Sequence, residues 1–230
     1  MACPENIHEG IDGVIEKYSP GEVGASVIWL HGLGADGRDF EEIIPYLGLS
    51  SSEGALGIRF LFPNAPRIPV SVNGGMSMRA WYDVRDQRIE LRADIDGMQR
   101  SARAVLSLVE GEVSRGIPRS RIIVGGFSQG GLVAAFAGHL SPRPLGGVMI
   151  LSSYIPAPFP SGEGQVPESF LMTHGTFDQV IPVSLGKKSC EWLIEGGWKG
   201  TFHEYEMAHT VCIEELSDIG RWMEGVVRGC

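Results

Sequence analysis

The stretch from Arg121 to Leu140, RIIVGGFSQGGLVAAFAGHL, constrains this chain more than any other. A β-branched run, Ile122-Ile123-Val124, leads into Gly125-Gly126-Phe127-Ser128-Gln129-Gly130-Gly131 and then into an Ala-rich run of helical character. Strand, glycine turn and helix in that order demand a βα unit. Gly126-Phe127-Ser128-Gln129-Gly130 also has the G-x-S-x-G form of a nucleophile elbow. Glycines flank the serine because the turn leaves no room for a Cβ. Such a turn lifts the hydroxyl clear of the sheet, beside a helix N-terminus whose N–H groups can meet a developing oxyanion. With 32 glycines in 230 residues, the bare pattern arises by chance roughly 0.4 times. A serine that merely caps the helix is the competing reading, so distant partners must decide.

The rest of the chain alternates in the same way. Val14 to Tyr18 reads as an edge strand, Ala25 to Leu30 as a strand, and Asp39 to Leu47 as a helix. A Ser/Gly-rich loop, Gly48 to Gly57, precedes strand Ile58 to Phe62, and Arg67 to Arg79 reads as a loop centred on Asn73-Gly74-Gly75. Then follow a helix from Ile95 to Arg115, the elbow unit, strand Gly147 to Leu151 and the Pro-rich loop Tyr154 to Pro167. Strand Ser169 to Thr173, helix Ser184 to Glu195, strand Thr201 to Glu206 and helix Ile213 to Val227 complete the order. This predicts an α/β fold, a mostly parallel sheet flanked by helices on both faces, in a single domain spanning residues 1–230. Ligands of such sheets bind beyond the carboxyl ends of the strands, so functional residues are expected just after strands.

Charge and cysteine usage narrow the partners. A formal net charge of −9 without a basic block argues against nucleic acid or an anionic membrane surface. The uncharged stretch Ile122 to Leu140 carries glycines and polar residues and is no membrane span. The opening MACPENIHEG has neither a basic nor an apolar signal region. Cys3, Cys190, Cys212 and Cys230 are scattered and read as reduced thiols. A cytoplasmic protein is expected.

A serine needs a base, and the base an orienting acid. In an α/β-hydrolase the chain order is Ser, acid, His. Of His174, His203 and His209, the second falls within a strand and the first leaves no histidine after the acid. His209, in the short loop before the last helix, is the candidate base. Asp178, in His174-Gly175-Thr176-Phe177-Asp178, is the acid that falls in a post-strand loop. Glu204, Glu206 and Asp218 fall inside regular elements.

Gly32-Leu33-Gly34-Ala35-Asp36-Gly37 is a literal G-x-G-x-x-G between strand and helix, which raises a second possibility: a Rossmann-type oxidoreductase. Its ribose-binding acid is missing from the end of the next strand, Phe62-Pro63-Asn64, and Glu53 falls in the Ser/Gly loop. The preferred reading is an oxyanion loop that offers the Leu33 N–H alongside that of Gln129. A third possibility is a hydrolase-fold binding protein without chemistry.

Together, His31-Gly32-Leu33-Gly34, Pro63-x-Ala65-Pro66, Asn73-Gly74-Gly75 with Trp81-Tyr82-Asp83, the Ser128 elbow, His174-Gly175-x-x-Asp178 and Met207-x-His209 resemble the acyl-protein thioesterase/lysophospholipase-type carboxylesterases. The wording around Asn73 and Trp81 comes nearest to the bacterial carboxylesterases of the group. Arg79 departs from the proline usual before the Ala-Trp pair. The resemblance implies an α/β-hydrolase fold, a Ser128–His209–Asp178 triad, and ester or thioester hydrolysis through an acyl-enzyme, with no metal or organic cofactor. It implies small esters or thioesters, S-acylated protein or lysophospholipid as substrates, and a monomer or weak homodimer. Leu33, Met76, Met78, Trp81, Val180 and Ile181 lie in or beside post-strand loops and are expected to form an apolar acyl slot. Trp81 and Asp83 are expected to support its wall.

Overall fold

The computed structural model describes residues 10–51, 55–86, 88, 94–159 and 164–229. Cys3, Glu53 and Cys230 lie outside them, as do parts of the 48–57 and 154–167 segments. Nine strands are described: β1 (Val14–Tyr18), β2 (Glu22–Leu30), β3 (Leu56–Pro63), β4 (Arg67–Val70), β5 (Met76–Arg79), β6 (Ile122–Phe127), β7 (Gly147–Leu151), β8 (Phe170–Gly175) and β9 (Gly200–Tyr205). The α-helices are α1 (Ile95–Ser114), α2 (Gln129–Leu140), α3 (Val183–Glu195) and α4 (Ile213–Arg228).

Seven strands form one sheet in the order β1-β3-β2-β6-β7-β8-β9. All pairings are parallel except that of β1, which runs antiparallel along β3 at the edge. Side chains alternate across the pleat as the two-residue period requires. In β2, Val27 and Trp29 enter the core on one face while Ile28 and Leu30 enter the core on the other. On the first face lie Leu216, Ile219, Met223 and Val227 of α4, at helical spacing, with Phe40, Ile43 and Leu47. On the other lie α1, α2 and α3. Each such fully buried side chain contributes about 1.5–3 kcal/mol of hydrophobic stabilisation.

The helix expected over Asp39 to Leu47 is present as a 3₁₀ helix, Gly37–Leu47; Pro45 inside it withdraws a donor from any α-helical ladder. One sequence expectation changes. Arg67 to Arg79, expected to be a loop, is an antiparallel hairpin of β4 and β5 with Arg67 opposite Arg79 and Val70 opposite Met76. Its strands are short, and Pro69 masks the strand signal. Gly74 and Gly75, at φ 66° and 78°, make the turn that a side chain would strain.

Strand order reverses at β2, whose neighbours β3 and β6 lead in opposite directions. The loops after β2 and β6 therefore flank the crevice where open α/β sheets bind ligands.

Candidate active site

Ser128 caps α2 with φ 54° and ψ −116°, a conformation that L-residues avoid. Several bonds hold it there. Its N–H donates to Leu151 O at 2.8 Å, and its carbonyl accepts from Ser153 Oγ at 2.7 Å and from Gly131 N at 3.1 Å. The glycines are obligatory for contact reasons: a Cβ on Gly130 would lie 2.5 Å from Leu30 O, and one on Gly126 2.5 Å from the Gly130 carbonyl carbon.

Loops after β6, β8 and β9 bring three distant side chains together. The Ser128 hydroxyl donates to His209 Nε2 at 2.9 Å, and His209 Nδ1–H donates to Asp178 Oδ2 at 2.7 Å. The other oxygen of Asp178 accepts the Val180 and Ile181 N–H groups, both at 2.8 Å. Three donors thus fix a fully buried carboxylate, and the imidazole above it has one tautomer available. The ring of Phe127 packs 4.7 Å from that of His209.

His174, set aside as a base, has a different place. It closes β8 fully buried, and its Nε2–H donates to Ile181 O at 2.8 Å. Burial lowers its pKa, so it stays neutral and braces the loop that carries Asp178. His203 lies in β9, 3.1 Å from Thr201 Oγ1.

The loop after β2 is held from below by a residue that the sequence marked only as its first position. His31 is buried; Nδ1–H donates to Gly32 O at 2.7 Å and Nε2 accepts the Ala65 N–H at 3.0 Å. Only the neutral ring can do both, and burial lowers its pKa accordingly. Trp81 donates its indole N–H to His31 O and its backbone N–H to Gln129 Oε1, each at 2.9 Å. Gln129 Nε2 in turn donates to Tyr82 O at 2.8 Å. With the Gln129 side chain so engaged, its backbone N–H remains, and neither this amide nor that of Leu33 meets an acceptor among the described residues. Replacing His31 with Phe strands the Ala65 N–H and frees Gly32 O. The expected result is a loss of about 1–3 kcal/mol in urea unfolding, with kcat falling more than KM rises.

A cavity of about 420 Å³ opens over Ser128, Gln129 and His209. Leu33, Val180 and Ile181 line it as expected, joined by Val72, Val84 and Tyr154. Trp81 and Met76 do not line it: Trp81 is buried beneath the loop as a strut, and Met76, in the hairpin, is 64% exposed. Val72 and Val84 carry no motif. They reach the wall because the Val72 N–H donates to Val84 O at 2.8 Å and closes the hairpin segment over the site. Arg79, the departure from the expected proline, pairs with Asp12 at 2.7 Å and donates to Ala65 O at 2.9 Å, while its carbonyl accepts from Gly34 N. It ties the hairpin to the Leu33 loop.

Glu215, fully buried at the start of α4, accepts the Thr173 hydroxyl one residue before His174. Burial pushes its carboxyl up to about 7 from 4.5. The folded state then holds a proton that the unfolded chain releases. This contribution to stability is complete below pH 4.5 and is lost as pH rises to about 7, a change of about 3 kcal/mol. Glu215→Gln is expected to flatten that slope, which urea titrations at several pH values measure.

The phospholipase/carboxylesterase family model matches residues 13–226. The chain belongs to the phospholipase/carboxylesterase family. Acyl-protein thioesterase 1 of Yarrowia lipolytica is 36% identical over 210 residues, covering 87% of this chain and 91% of that protein. The Schizosaccharomyces pombe acyl-protein thioesterase 1 is 39% identical over 174 residues, covering 74% and 75%. Among solved structures, Arabidopsis thaliana SOBER1 superposes with a TM-score of 0.79 at 29% identity, covering 88% of this chain and 99% of that one. Membership makes the protein an α/β-hydrolase that acts on esters or thioesters.

The family sets aside the dinucleotide alternative raised by Gly32 to Gly37, and the geometry gives the reason. Gly37 opens a 3₁₀ segment, its N–H is taken by Asn64 Oδ1 at 2.8 Å, and a Cβ there would lie 2.5 Å from Phe62 O. The third glycine serves packing against β3 and leaves no free helix end for a pyrophosphate.

Proposed function

We propose that the chain is a single-domain serine carboxylesterase or thioesterase in which Ser128 is the nucleophile, His209 the base and Asp178 the orienting acid. The observation that carries this reading is the continuous line from Asp178 Oδ2 through His209 to Ser128 Oγ, at 2.7 and 2.9 Å. Ser128 attacks the acyl carbonyl as His209 Nε2 takes the hydroxyl proton. The Leu33 and Gln129 N–H groups, which meet no acceptor among the described residues, hold the oxyanion. His209 returns the proton to the departing alcohol or thiol, and a water activated by the same ring releases the acid. No step needs a metal or organic cofactor.

The acyl chain takes the apolar part of the cavity, against Leu33, Val72, Val84 and Ile181. S-acylated proteins, lysophospholipids and small esters all offer such an acyl group. The relatives named as acyl-protein thioesterases favour the first. No helix among the described residues is long and apolar enough to cross a membrane. Burial raises the thiol pKa of Cys190 and of Cys212, as suits reduced cysteines. A cytoplasmic monomer or weak homodimer fits these features.

The test is a chain-length series of paired p-nitrophenyl oxyesters and thioesters, with fluorophosphonate labelling. The reading requires saturable hydrolysis and label on Ser128. Binding without turnover would instead identify a non-catalytic hydrolase-fold protein.

A further inference from the structure

The wall of the cavity beside His209 differs from the acyl wall. The Phe127 ring lies 4.7 Å from the His209 ring, and the Phe40 ring 5.9 Å from that of Phe127. The next residue along, Asp39, also lines the cavity. Its carboxylate is exposed and has no ion-pair partner among the described residues. No lysine or arginine lines the cavity among the described residues. Charge on the rest of the chain reinforces the bias, with a formal net of −9.

The side of the site is fixed by chemistry. Because His209 Nε2 must hand its proton to the departing atom, the leaving group lies against His209 and the acyl chain away from it. The leaving group therefore meets two aromatic rings and a free carboxylate, the combination that recognises a cation.

We propose, resting on the hydrolase reading above, that Asp39 with Phe40 and Phe127 forms a leaving-group subsite selecting a positively charged alcohol or thiol. The charge belongs on an ammonium or guanidinium a few bonds from the scissile oxygen or sulfur. Asp39 attracts it, and the same carboxylate repels thiols that carry phosphate or carboxylate.

Three S-butyryl thioesters test this: those of thiocholine, of its uncharged isostere 3,3-dimethylbutane-1-thiol, and of 3-mercaptopropionate. Thiol release gives kcat/KM for each, divided by the hydroxide-catalysed rate of the same compound to remove intrinsic reactivity. The cationic substrate should lead the neutral one by about tenfold and the anionic one should trail it, with the spread shrinking at high salt. In Asp39→Asn the cationic-to-neutral ratio should fall towards one. A ratio near one in the unaltered enzyme, or one that Asp39→Asn leaves intact, overturns the subsite while the hydrolase reading stands. Failure to hydrolyse any of the three overturns both. A pair of S-butyryl cysteine peptides flanked by two Lys or two Glu identifies the source of the charge. An Asp39-dependent preference for the Lys peptide supports a basic polypeptide. Equal rates on the two, beside a preference for thiocholine, support a small cationic thiol.

Discussion

Ser128→Ala lowers kcat for a p-nitrophenyl ester by about 10⁴-fold or more, leaving only what the oxyanion amides and binding supply. Removing the oxygen removes the one atom that can bond to the acyl carbon, since His209 is arranged to move a proton rather than to attack. The substitution deletes a hydroxyl from an already strained residue whose backbone bonds to Leu151 and Ser153 remain. Stability is therefore expected to hold or rise slightly, and the fluorophosphonate label should vanish. Stopped assays with burst analysis check the rate, and calorimetry the fold. Residual turnover within tenfold of the parent would place the nucleophile elsewhere.

Asp178→Asn lowers kcat by about 10²–10⁴-fold with little change in substrate binding. The reason lies in the donors around this carboxylate. One oxygen accepts from Val180 N and Ile181 N, the other from His209 Nδ1. Asparagine has one acceptor for these two positions. If its oxygen stays with the two amides, its NH₂ faces His209 Nδ1 and drives the ring into the Nε2–H tautomer, which cannot take the Ser128 proton. If the amide flips, the NH₂ clashes electrostatically with two backbone donors and the loop shifts. Single-turnover kinetics separate the outcomes from a binding defect. A kcat near that of the parent would show that Asp178 does not orient the base.

Much of the Ser128–His209–Asp178 geometry was legible because it rests on local signals. The elbow at Ser128 reads as strand, glycine turn and helix, and its constraint is steric and short-range. Asp178 and His209 follow from their position just past strands, which a parallel sheet directs to one edge. The cavity wall was less legible. Trp81 and Met76 have the right apolar character, but burial beneath the loop takes one and exposure on the hairpin takes the other. The hairpin itself was hidden by Pro69 and by strands too short to show a period.

By itself, the sequence determined the alternation of elements, the turn that raises Ser128 and the placement of Asp178 and His209 just past strands, because each depends on residues close in the chain. Tertiary structure alone decided that His31 props the Leu33 loop, that Val72 and Val84 rather than Met76 and Trp81 line the cavity, and that Asp39 faces it. Those outcomes depend on which surfaces meet when β2 is placed between β3 and β6, and contacts between distant segments leave no spacing in the chain to read.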